Sequence, residues 1–171
     1  MHEIEQIVYN IMENSFSKSY IGQLRKIVGN KKLIVAGVRA VIRNNDGKIL
    51  LIHRKDTNRW GMPAGSAELG ESVMETLKRE VKEETGLDVK SAEPFAVYSD
   101  PKYSVTYPNG DQTQIFVIVF LVDKWSGELI GENDESLGCG FFSLDDLPDT
   151  HEVYVETLND LKNYNGRFIV K

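Results

Sequence analysis

Residues Arg79 to Gly86 read REVKEETG, three glutamates within five positions (Glu80, Glu83 and Glu84) behind an arginine. Ser72 and Glu75 form a capping-box pair and Gly86 supplies a stop, so a helix is expected across this stretch. At about 100° per residue the three glutamates share an arc of about 100°. Val73 and Leu77 lie inside or beside that arc, Met74 and Val81 next to it, and Glu75, Lys78 and Lys82 opposite. The solvent face therefore has its own charges, and the glutamates run along the edge of the face that packs on a sheet. The competing interpretation is a solvated helix laced by pairs such as Arg79 with Glu83, each contributing a few tenths of a kcal/mol. Partly buried like charges destabilise one another unless a cation stands between them or they are protonated. An all-oxygen carboxylate set suits Mg2+ or Mn2+, so the cluster is best explained as a divalent-metal site.

Working outward, residues 56–71 (DTNRWGMPAGSAELGE) carry four glycine or proline residues between Gly61 and Gly70 and predict an ordered loop leading into the helix. Before it, Leu33 to Ile42 (LIVAGVRAVI) is apolar on both faces, the pattern of a central covered strand. The turn Asn44-Asn45-Asp46-Gly47 and the strand KILLIHR follow. After the helix, Phe95 to Tyr98 predicts a short strand. Tyr103 to Val122 predicts a hairpin turned at Pro108-Asn109-Gly110, and Phe141-Phe142 the end of another strand before the turn LDDLPD. Val155, Leu158 and Leu161 mark a closing helix over 153–164. At the other end, residues 3–28 show helical apolar spacing, with a break expected at Asn14-Ser15 and a stop at Gly29-Asn30. Strands interleaved with a few helices predict an α/β fold, a mixed sheet covered by helices on both faces.

The 171 residues suffice for one substantial domain, and we divide them into a helical extension over 1–31 and a domain over 32–171. The single cysteine, Cys139, excludes an intramolecular disulfide and a multi-cysteine zinc site and predicts a buried thiol in a reducing compartment. No apolar run reaches the length of a membrane span, and MHEIEQIVYN lacks the basic start and apolar middle of a signal peptide, so a cytoplasmic protein is expected. With 26 acidic against 20 basic residues, net charge −6, nothing favours nucleic-acid binding. An anionic substrate would need local positive charge, which a metal ion would supply.

Gly65, five residues, Glu71, seven residues, then Arg79-Glu80-Val81-Lys82-Glu83-Glu84-Thr85-Gly86-Leu87 resembles the Nudix box at every specified position, and Trp60-Gly61-Met62-Pro63 resembles its usual lead-in. The likeness runs from about Lys32 to the C-terminus and leaves out the N-terminal helix. It implies an α/β/α sandwich around a mixed sheet and Mg2+- or Mn2+-dependent hydrolysis of a nucleoside diphosphate linked to another group. By position it makes Glu80, Glu83 and Glu84 metal ligands or the base, with Glu83 and Glu80 equally placed for the base. The Ala64 carbonyl becomes a further ligand, Arg79 the residue that orients the glutamates, and Glu71 a support for loop and helix. Ala64 stands where many members have glycine.

Outside the box, the acidic loop with Glu132, Asp134 and Glu135 either contributes a late ligand or base or is a polar loop. Arg54, Arg59 and Trp60 are candidates for phosphate and base contact, with Trp60 equally suited to plug the core. Tyr103 and Tyr107 suit sheet packing better than a pocket, and His53 a structural place. The expected partner is a nucleotide-type small molecule. The N-terminal helix, whose apolar face exceeds what a lone surface helix needs, is a candidate homodimer contact. A catalytically silent nucleotide-binding module is the alternative, disfavoured because every box glutamate is present.

Overall fold

The computed structural model describes residues 16–107 and 109–171. The helix expected over 3–28 is therefore seen only in its second part, α1 (Tyr20–Val28), started by Ser19, whose hydroxyl accepts the Gly22 N–H. Residues 16–18 are helical as well, with an interruption at Ser19, and the part of that expectation over 3–15 lies outside the described residues.

Strand β1 (Leu33–Ile42) is central, as its double-faced apolar pattern requires. It runs parallel to β7 (Gln112–Ser126) in register from Leu33 opposite Thr113 to Ile42 opposite Val122. On its other side it pairs antiparallel with the edge strand β4 (Ala64–Ser66). Beyond β7 lie β5 (Asp88–Tyr98), antiparallel, and then β9 (Ile169–Val170), parallel to β5. The short β6 (Ser104–Thr106) closes the predicted hairpin on β7, where the Tyr107 N–H bonds the Asp111 carbonyl at 2.9 Å. A second sheet orders β3 (Trp60–Gly61), β2 (Ile49–Arg54) and β8 (Ser136–Phe142).

The box helix is α2 (Val73–Thr85), and the closing helix is α3 (Glu152–Lys162). Alternation along β1 sends Val38, Ala40 and Ile42 into one core with Leu77 and Val81 of α2. Val41 enters the other core with Leu158 and Leu161 of α3. Helices thus cover both faces of a mixed sheet, the expected α/β layering. Among the described residues no helix is long and apolar enough to cross a membrane.

Three differences from the expected elements have physical causes. Strand β5 begins at Asp88 rather than Phe95, because its first half is held by pairing with the extended end of β7 although its own residues are polar. Pro94 sits at a register shift there, where a missing N–H costs least. The loop over 56–71 contains β3 and β4, pieces too short for periodicity to mark. Strand β9 is two residues long and equally silent in sequence.

Candidate active site

The acidic helix is fixed at both ends. Ser72 and Glu75 exchange the two bonds of a capping box, and Gly86 adopts φ 80°, with its N–H on the Lys82 carbonyl. A Cβ at Gly86 would also stand 2.6 Å from the Ile130 methyl and 2.7 Å from the Glu128 carbonyl, so the chain after the box packs directly on this turn.

Edge strand β4 faces the helix with its backbone. The Ala40 N–H to Pro63 carbonyl and Ala67 N–H to Ala36 carbonyl bonds (2.8 and 3.0 Å) set the parity of the β1–β4 ladder. Ala64 and Ser66 therefore turn their peptide groups away from β1, since paired residues exchange both bonds and the residues between them face outward. The Ala64 N–H donates to Glu84 Oε2 at 2.9 Å, and the Ser66 carbonyl accepts from Arg79 Nη2 at 3.0 Å. The Ala64 carbonyl shares that outward edge. Among the described residues only Asn58 combines a side chain with positive φ, so alanine in place of glycine at position 64 carries no backbone strain.

The three glutamates occupy different environments. Glu84 is 4% exposed, with Arg54 Nη1 at 3.7 Å, and burial pushes its carboxyl up to about 8 against the pull of Arg54 and the Ala64 N–H. Glu80 is largely buried, and burial raises its proton affinity too, opposed by Arg79. Glu83 is 60% exposed in its side chain, so the sheet-edge placement holds for two of the three and only loosely for the third.

Arg79 joins them. Its Nη1 donates to Glu80 at 2.8 Å and Glu83 at 3.2 Å, and its Nε and Nη2 grip Glu71 at 2.6 and 2.9 Å. Glu71 also accepts from the Glu68 N–H and the Thr76 hydroxyl, and Arg79 foremost holds its carboxyl down at about 2. The arginine's ordering of the carboxylates and the tie from Glu71 to the loop are thus both present as contacts.

Glu80, Glu83 and Glu84 line one cavity of about 240 Å³ with Asn133, Asp134 and Glu135. The acidic loop arrives there through Asn133. Its amide donates to the Glu83 and Glu84 carbonyls (3.3 and 3.4 Å), and its side-chain oxygen accepts the Glu135 and Ser136 N–H groups. Asn133 was missed in the sequence, where the one signal was an asparagine suited to bond its own following backbone. Glu132 takes the second of the two places expected for it, that of a polar loop residue. It is 65% exposed, pairs with Lys55 at 2.8 Å and lies outside the cavity lining.

The three candidates for substrate contact are not brought together. Arg54 reaches Glu84 and is forked on Asp56 (3.0 and 2.8 Å). Arg59 is bound to Asp149 and Glu152 at the start of α3. Trp60 stacks on His53 with centroids 4.9 Å apart, meets Phe142 edge-on and packs on the core, which is its core-plug role.

As placed, the carboxylates do not close on one point, and among the described residues no group of three or more His, Cys, Asp or Glu side chains stands ready to hold an ion. The donor set still fits a divalent cation. It is all oxygen, two of its carboxylates are buried with raised proton affinity, and Glu80 and Glu83 are held by single bonds to one shared Arg79 nitrogen.

Gly65 allows this crowding, because a Cβ there would overlap the Glu80 carboxyl. The obstacle is the far end of a flexible side chain, and the glycine has no positive φ, so Gly65→Ala is expected to fold with a Tm close to wild type. Displacing the Glu80 carboxyl should lower kcat/KM about 10-fold, the scale of disturbing a ligand's placement. Thermal melts beside the rate measurement check it, and full activity in the variant would detach Glu80 from the reaction.

A second cavity of about 590 Å³ lies on the α3 face of the sheet, lined among others by Arg39, Tyr98, Tyr103, Glu156 and Thr157. Tyr103 therefore lines a pocket as well as packing on the core, so both of the roles open to it in the sequence are present, although the sequence favours packing. Tyr107 is exposed. Arg39, which lines this cavity, lies opposite Ala64 in the ladder, and the Ala64 N–H bonds Glu84 of the first cavity.

A family model described as NUDIX domain matches residues 33–161. A protein named ADP-ribose pyrophosphatase from Methanocaldococcus jannaschii is 37% identical over 160 residues, covering 88% of this chain and 90% of that one. The crystal structure of a MutT NUDIX hydrolase from Burkholderia pseudomallei superposes with a TM-score of 0.64 at 30% identity, over 74% of this chain and 97% of that one. That of an ADP-ribose pyrophosphatase from Streptococcus suis gives 0.58 at 29% identity, over 80% and 98%.

Proposed function

The chain belongs to the Nudix family and is a hydrolase, and from that premise we propose that it cleaves the pyrophosphate of a nucleoside diphosphate joined to a second group, in dependence on Mg2+ or Mn2+. The observation that carries this is the convergence of Glu80, Glu83, Glu84 and Glu135 on one cavity beside the outward backbone of β4. Glu80, Glu83, Glu84 and the Ala64 carbonyl would hold the ion, with Glu135 at the opposite wall. When bound, the ion would neutralise pyrophosphate oxygens and acidify the attacking water.

The chain's own residues do the rest. Arg79 keeps Glu80 and Glu83 aimed at the cavity and Asn133 clamps the acidic loop to the last turn of α2. Arg54 offsets the charge of Glu84, and the proton of the attacking water falls to Glu80 or Glu83, the two carboxylates that share Arg79 Nη1. The 590 Å³ cavity is of the size that seats a small organic ligand, and we assign it the nucleoside, with the pyrophosphate crossing the edge at β4. Residues 1–31 remain an extension in this reading. Arg25 of α1 ties it to the hairpin through the Gln112 carbonyl (2.7 Å), and the Tyr20 N–H ties it to Glu68 (2.8 Å).

A panel of nucleoside diphosphate compounds that includes ADP-ribose, assayed with Mg2+, Mn2+ or chelator for released mononucleotide, tests the proposal. At least one compound should turn over, and chelator should abolish it. Undiminished turnover in chelator would reject the mechanism.

A further inference from the structure

Arg39 is a cation placed where a cation is costly. It is 6% exposed, and among the described residues it makes no ion pair. One nitrogen, Nη1, donates to the Thr157 hydroxyl at 2.5 Å, the guanidinium carbon stands 4.5 Å from the centre of the Tyr154 ring, and Nε is buried without an acceptor. A buried donor left unmatched, and more so a buried unpaired charge, opposes folding and persists where something outside the fold uses it. Glu156, an acidic group lining the same cavity, is already engaged by Lys171 at 3.0 Å, Lys102 at 3.2 Å and the Tyr103 hydroxyl at 2.9 Å.

Resting on the assignment of the nucleoside to this cavity, we propose that Arg39 is the specificity-determining residue of the site and selects a nucleobase that presents a carbonyl edge, as in a 6-oxopurine, over one that presents an amino group. Arginine carries five N–H donors and no acceptor, so the cavity wall it forms is donor-rich. A 6-oxopurine edge offers N7 and O6, both acceptors, and a guanidinium meets such a pair with two parallel bonds. The 6-amino group of adenine turns N–H toward N–H, so adenine keeps only the bond to N7 and leaves the second Arg39 donor unmatched. The guanidinium carbon stands over the Tyr154 ring, and Tyr98 and Tyr103 supply aromatic wall. A phosphate is the weaker match, since the pyrophosphate would be cleaved in the other, carboxylate-lined cavity and the rim lysines are already paired.

The test compares ADP-ribose with its deaminated counterpart, inosine diphosphate ribose, in which an oxo group replaces the 6-amino group and N1 carries a proton. With Mg2+ the wild type should favour the oxo compound in kcat/KM by about 10- to 100-fold, the discrimination of one two-bond contact, through KM rather than kcat. In Arg39→Met the ratio should fall close to one because KM for the oxo compound rises. Arg39→Lys, a point charge without the fork, should recover only part of the preference. If neither compound is cleaved, the proposed reaction fails and not this assignment, which calorimetric titration of IMP and AMP then judges by the same ratios. A wild type that favours the adenine compound, an Arg39→Met that shifts both compounds equally, or inorganic phosphate competing as strongly as IMP would overturn it.

Discussion

Glu84→Gln should lower kcat/KM by about 10³-fold while making the metal-free protein more stable at pH 8, two effects of opposite sign from one substitution. The loss in rate follows from taking one oxygen ligand out of the proposed set, on the order of 4 kcal/mol of transition-state stabilisation. The gain in stability follows from burial. Glu84 is 4% exposed, and its carboxyl titrates near 8 in the folded chain against 4.5 for a free glutamate. An acid whose folded pKa is raised contributes stability that is complete below the unfolded value and is lost as pH rises through the folded one. In chelator the wild type should therefore lose stability between about pH 4.5 and 8, on the order of several kcal/mol, and the glutamine variant should lose much less. Added Mg2+ at pH 8 should restore the wild type by mass action and leave the variant nearly unmoved. Melting curves across this range, with and without chelator, read both halves. A variant that melts below the wild type at pH 8 in chelator would mean that the Ala64 and Arg54 contacts outweigh the cost of burying the charge, and full activity would remove Glu84 from the ligand set.

The box was legible because its signals are local. Capping residues, a glycine stop and the arc shared by Glu80 and Glu84 are set by positions a few residues apart, and the helix forms where they predict it. The central strands were legible for a similar reason, since burial on both faces demands a run such as LIVAGVRAVI. What sequence could not supply is the meeting of distant segments. Whether Glu132 or Glu135 reaches the cavity depends on which way Asn133 turns the loop against the end of α2, and one position of difference sends Glu132 to Lys55 instead. Arg39 was hidden inside an apolar run, where a lone charged residue looks like an interruption. Its meaning appears only when Thr157 and Tyr154, more than a hundred positions away, are packed against it. Arg59 and Trp60 are candidates for substrate contact by charge and by stacking, but strand geometry turns Trp60 into the core while Arg59 reaches to the start of α3.

Arg79→Ala should be the most damaging change among the groups that hold no ion, because one guanidinium makes five contacts that nothing else in the site replaces. It binds Glu71 twice, Glu80 and Glu83 once each, and the outward carbonyl of Ser66. Without it Glu80 and Glu83 lose their common anchor, and kcat/KM should fall by about 10²- to 10³-fold, above the 10- to 100-fold of a single orienting partner because two carboxylates are released together. Stability should fall by about 2 kcal/mol, short of the 3–5 expected for a fully buried pair because the arginine side chain is 27% exposed. Glu71 supplies an independent check in acid. Arg79 holds its folded pKa near 2, below the free value of 4.5, so its contribution is present above 4.5 and is lost as pH falls toward 2. Removing the arginine should flatten that acid limb in the metal-free protein. Arg79→Lys keeps the charge and should restore most of the acid limb, but a single ammonium cannot fork between Glu71 and Glu80, so the rate should recover far less than the stability. Equal recovery of both would reduce Arg79 to a counter-charge and leave the aim of the glutamates to the helix alone.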